Sequence, residues 1–125
     1  MTQWYEQRHA PPVGTSLGGA DEILPGGVRE FRFGGDTPFA FRLFVYNDNG
    51  IFRAYWNSCP HFDVPLNHTT EELISTDGQH FLCMTHYARF DKSSGQCVEG
   101  PCEGEFLQGI PLQVEDNQLS IGTNR

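Results

Sequence analysis

The chain has 125 residues, a length suited to one domain, and carries 16 acidic against 8 basic side chains for a net charge of −8. That balance speaks against nucleic acid, whose phosphates are met by Lys and Arg, and against anionic membrane surfaces. No apolar run approaches the ~20 residues of a membrane span, and Met1-Thr2-Gln3-Trp4-Tyr5-Glu6 lacks the basic start and apolar stretch of a signal peptide, so a cytoplasmic location is expected.

Gly (14) and Pro (8) punctuate the chain, and the longest interval free of both runs only from Gln79 to Ser94. Few long helices can form between such breaks. Residues 1–19, with Pro11-Pro12, Gly14 and Gly18-Gly19 and no apolar period, read as a flexible N-terminal arm, leaving 20–125 as a single domain. Ala20 to Leu24 suits one helical turn. Phe31 and Phe33 then alternate with Glu30 and Arg32, as in a half-buried strand. Phe39, Phe41, Leu43 and Val45 share one face of the next run, with Phe44 and Tyr46 on the other. Asn47-Asp48-Asn49-Gly50 supplies residues tolerant of positive φ, and Ile51 to Trp56 is the returning strand.

Asn67 to Gly78 reads as a loop with a short strand at Glu72 to Ser75 and a turn at Thr76-Asp77-Gly78. Leu112 and Val114, then Leu119 and Ile121, alternate around Glu115-Asp116-Asn117-Gln118, which predicts a second hairpin. The pattern predicts an all-β domain of short antiparallel strands, a sandwich or small barrel.

The chemistry-bearing residues lie between Trp56 and Gly104. Cys59-Pro60-His61 follows the run Ile51 to Asn57, and Cys83-Met84-Thr85-His86 follows Gln79 to Leu82, so two loops at one end of a sheet could face each other. Thiolate and imidazole suit zinc, iron or an iron–sulfur cluster, whereas Mg and Ca want oxygen. A structural zinc site usually pairs like ligands, Cys with Cys and His with His. Here each loop mixes one sulfur with one nitrogen. That mixture suits two metals, with both sulfurs on one iron and both imidazoles on the other. No nucleophile–base pair or carboxylate dyad is spaced for hydrolysis.

Cys59-Pro60-His61, Cys83-Met84-Thr85-His86, Gly95 and Gly100-Pro101, in that order, resemble the Rieske iron–sulfur family, over roughly Ala20 to Gly122. The resemblance implies a Rieske-like fold: an all-β base and a smaller cluster-binding part of two hairpin loops at about 57–104. It also implies a third, Pro-bearing loop over a [2Fe-2S] cluster held by Cys59, His61, Cys83 and His86. Within that family the chain is most similar to the small soluble ferredoxin-type members. Such a protein is an electron carrier and not an enzyme, passing one electron from a reductase to an oxygenase or other terminal enzyme. The alternatives are a non-catalytic Rieske-like subunit of the nitrite-reductase type and a zinc-stabilised interaction module.

Some positions depart from the family pattern. The extra Cys of each ligand loop in the respiratory type falls at Val64 and Thr85, so that disulfide is absent. Hydroxyls that in that type bond to sulfur fall at Ala88 and Phe90, which implies a reduction potential toward the low end for such a centre. Asp63 and Tyr87 stand where Gly is common, and the 21 residues between His61 and Cys83 exceed the usual range. A His₂Cys₂ cluster is neutral when oxidised and negative when reduced, so redox-linked protonation of His61 and His86 is expected.

Cys97 and Cys102 flank Gly100-Pro101 and exceed the ligand set; they read as small buried thiols, with a disulfide as the alternative. His9, His68 and His80 carry no ligand pattern. Eight acids lie between residues 60 and 105 against only Arg89 and Lys92. They form either an ordinary solvated face or a rim that steers a basic redox partner.

Overall fold

The computed structural model describes residues 3–35, 40–60, 66, 73–83 and 88–123. Among these the chain forms ten strands and only short 3-10 turns, such as Trp4–Glu6 and Ala20–Glu22, so the all-β expectation holds. No helix among the described residues is long and apolar enough to cross a membrane. The chain divides into two compact units, Met1–Trp56 with Gly109–Arg125, and Asn57–Gln108.

The first unit contains two antiparallel sheets. One is built from β2 (Val28–Phe33), β3 (Phe41–Asp48), β4 (Ile51–Trp56) and β8 (Gly109–Ile110), in that order. The β3–β4 hairpin turns through Asn49 and Gly50 at φ 50° and 94°, the positive pair that a two-residue turn matched to strand twist requires. Its register runs from Asp48↔Ile51 to Leu43↔Trp56. The other sheet orders β1 (Ser16–Gly19), β10 (Gln118–Ile121) and β9 (Leu112–Glu115). Asp116 and Asn117 make its hairpin turn at φ 51° and 63°, a conformation that Asp and Asn tolerate better than most residues.

Inward-facing Leu43, Val45, Leu119 and Ile121 are fully buried and form the centre of this unit's core. Phe44, on the opposite face of β3, is also fully buried, its ring 5.7 Å from that of Tyr55. The expected partner residue Phe39 lies outside the described residues.

Residues 3–19, expected as a loose arm, carry structure. Trp4–Glu6 form a 3-10 turn that buries Trp4 against the core, with its ring 6.2 Å from Phe41. β1 pairs with β10 and buries Leu17. A large indole offers more area to burial than most side chains, and it anchors a segment whose local sequence has no period. Ala20–Glu22 form the expected helical turn, where the Gly19 N–H donates to the Glu22 carboxylate at 3.0 Å.

The second unit holds a three-stranded antiparallel sheet of β5 (His80–Leu82), β6 (Arg89–Asp91) and β7 (Cys97–Glu99). Phe81 and Phe90 face each other across it, and both are fully buried, as are Leu66 and Leu73. Ile74 bridges to Phe81, so the segment ahead of the Thr76-Asp77-Gly78 turn folds back on β5. At the β6–β7 turn the Asp91 carboxylate accepts from the Ser93 and Ser94 N–H groups at 2.9 and 2.8 Å.

Candidate functional site

Cys59 comes three residues after β4 and Cys83 directly after β5; both are fully buried and neither is bridged. His61 and His86, the other two expected ligands, lie outside the described residues, as do Asp63, Val64, Thr85 and Tyr87. Among the described residues no three His, Cys, Asp or Glu side chains gather as a metal site.

A hydrogen bond spans each of the two segments expected to carry ligands. The Leu66 N–H donates to Asn57 Oδ1 at 2.7 Å, and Asn57 is itself buried. The Cys83 N–H donates to the Ala88 carbonyl at 2.8 Å. Both bonds lie within the second unit. Asn57 was not singled out from the sequence; its only signal is its place between a strand and the first Cys.

The third loop packs beside the second. Gly100 has φ +113°, and a Cβ there would lie 2.8 Å from the Ala88 Cα. Only glycine fits such an approach without a shift. Ala88 and Phe90, the two positions expected to lack a hydroxyl donor, are fully buried with purely hydrocarbon side chains.

Cys97 and Cys102 are also buried, and the Cys102 thiol donates to Cys97 Sγ at 2.7 Å. Burial, and after it the neighbouring Cys97 sulfur, push the Cys102 thiol above its ordinary value, while a hydrogen bond with Cys59 acts the other way. Around them Glu99, Glu103 and Glu105 are exposed, with Val98 and Phe106 uncovered between them. Arg89 meets Glu99 only at 3.4 Å and in solvent, a pair of small energetic weight. His80 lies in β5 with its buried Nδ1 lacking a hydrogen-bond partner among the described residues.

The donor chemistry fits an iron–sulfur cluster. Two fully buried, unbridged thiols can bind as thiolates away from water. Oxygen-loving cations are excluded by the same chemistry.

Comparison with known proteins agrees. Residues 15–115 match the family model of the Rieske [2Fe-2S] domain. The ferredoxin component of the p-cumate 2,3-dioxygenase system of Pseudomonas putida is 30% identical over 101 residues, covering 81% of this chain and 78% of that protein. The ferredoxin component of the alkene monooxygenase system of Xanthobacter autotrophicus is 31% identical over 83 residues, 65% of this chain and 62% of that one. Among solved structures, the ferredoxin of carbazole 1,9a-dioxygenase from Nocardioides aromaticivorans superimposes with a TM-score of 0.62 at 20% identity, over 88% of this chain and 99% of that one. At 20% identity the superposition speaks for the fold, whereas the family match spans most of the sequence. The chain belongs to the Rieske [2Fe-2S] domain family.

Proposed function

We propose that Cys59 and Cys83 through sulfur, and His61 and His86 through imidazole, hold a [2Fe-2S] cluster in an electron carrier located in the cytoplasm. When bound, such a cluster takes up and releases one electron at a time. The observation that carries this reading is the pair of fully buried, unbridged cysteines, Cys59 between the hydrogen-bonded Asn57 and Leu66 and Cys83 bonded to Ala88. Burial keeps water from the two sulfurs. Hydrocarbon at Ala88 and Phe90 offers them no hydroxyl donor, which favours a potential toward the low end for a His₂Cys₂ centre.

The relatives named as ferredoxin components of oxygenase systems support the partners: a reductase as donor and an oxygenase or similar terminal enzyme as acceptor. The chain carries the electron and transforms no substrate itself. Exposed Glu99, Glu103 and Glu105 around Val98 and Phe106 give the third loop an acidic, partly apolar surface suited to a basic partner.

Iron, zinc and sulfide assays with visible spectra and reduced-state EPR test the site. Freshly purified protein should be coloured, with two irons and two sulfides per chain. Cys59→Ala and Cys83→Ala should each abolish colour and iron content. A colourless, zinc-loaded wild-type protein would overturn the reading in favour of an interaction module.

A further inference from the structure

The chain has four cysteines, two more than the proposed ligand set uses, and the surplus two lie together. Their apposition is set by the backbone. The Cys97 N–H donates to the Glu105 carbonyl at 2.7 Å, and the Cys97 carbonyl accepts from Gly104 at 2.9 Å. The Cys102 carbonyl accepts from Glu105 at 2.9 Å, and Glu103 donates to Gly100 at 3.2 Å. These bonds fold the loop back on itself and turn both side chains inward, where each is 1% exposed. Sulfurs 2.7 Å apart need little movement to reach the ~2.05 Å of a covalent bridge.

We propose that Cys97 and Cys102 form a reversible dithiol–disulfide site that closes the third loop on itself. Oxidation removes two protons and two electrons from the thiols as one S–S bond forms. A low-molecular-weight disulfide such as oxidised glutathione takes them up, its own S–S bond breaking to give two thiols. The site uses neither Cys59 nor Cys83, so it stands independently of the ligand assignment. Its loop nevertheless lies beside Cys83, because Gly100 abuts Ala88, whose carbonyl accepts from the Cys83 N–H.

The test equilibrates purified, iron-loaded protein in glutathione buffers of graded redox ratio, then denatures it, alkylates free thiols and measures intact mass. Four alkyl groups are expected at the reducing end and two at the oxidising end, with a smooth transition between. No Lys or Arg lies between Ser93 and Asn124, so trypsin leaves both cysteines in one peptide. Cleavage after Glu99 separates them, and the halves should stay joined until reductant is added. Cys97→Ser and Cys102→Ser should each show three alkyl groups at both ends. Four alkyl groups across the whole range in the wild type would overturn the proposal, as would stable glutathione adducts or a bridge through Cys59 or Cys83. Iron assayed on the same samples reports the cluster separately.

Discussion

Asn47 shows how one polar side chain can hold two segments. It is 5% exposed, donates from Nδ2 to the Ile23 carbonyl at 2.7 Å and accepts from the Gly50 N–H at 2.7 Å. Asn47→Ala would leave a buried acceptor and a turn donor without partners, and should cost about 1–3 kcal/mol in urea denaturation. Asp91 acts through charge. Its carboxyl is held below the ordinary carboxylate range, first by the Ser94 N–H and then by Ser93 and the Ser94 hydroxyl, against the opposing effect of burial. A folded value below the unfolded one gives stability that is present above the unfolded pKa of about 3.9 and lost as pH falls through the folded value. Asp91→Asn keeps an acceptor oxygen and removes the charge. It should be less stable than wild type at pH 7, and the gap should close as pH drops below about 4. A gap that persists unchanged in acid would contradict this account.

Strand β3 is buried on both faces, with Leu43, Phe44 and Val45 fully covered. Leu43→Ala should cost about 2–5 kcal/mol. Ile51→Thr, at a position 59% exposed, should stay within about 0.5 kcal/mol by the same denaturation measurement. The third loop allows a sharper comparison. Gly100 and Gly104 have φ +113° and +91°, but only Gly100 meets a neighbour, since a Cβ at Gly104 would find nothing within 4 Å. Gly104→Ala should therefore lose only the backbone strain of about 1–3 kcal/mol. Gly100→Ala should lose more, because the added carbon collides with the Ala88 backbone. Equal losses at the two positions would show that the loop does not pack against Ala88 in solution.

The net charge of −8 acts over the molecule as a field. Acids outnumber bases by eight to two between residues 60 and 105, the stretch that contains the proposed ligands. Attraction of a basic redox partner raises the association rate and is screened by salt, with a Debye length of about 10 Å at 0.1 M. Stopped-flow electron transfer to such a partner should slow on the order of ten-fold between low salt and ~0.5 M. Glu99→Lys with Glu103→Lys and Glu105→Lys should flatten that dependence, whereas a rate indifferent to salt in the wild type would rule out steering.

Hairpins at 41–56 and 112–121 were legible because alternation and turn chemistry are both local. Asn49-Gly50 and Asp116-Asn117 accept positive φ whatever surrounds them, and the flanking apolar alternation supplies the register. The mixed Cys and His pairs likewise stood out, since donor type restricts the metal chemistry before any fold is known. Strands β1 and β8, four and two residues long, had no such local signal; they exist through their pairing with β10 and β4. Burial of Trp4, the hydrogen bonds that join Asn57 to Leu66 and Cys83 to Ala88, and the meeting of Cys102 with Cys97 are likewise contacts made by folding. Periodicity and motif record what a residue can do with its near neighbours along the chain. Which distant groups share an interior is settled only when the backbone closes, because burial and hydrogen-bond satisfaction are properties of the packed whole.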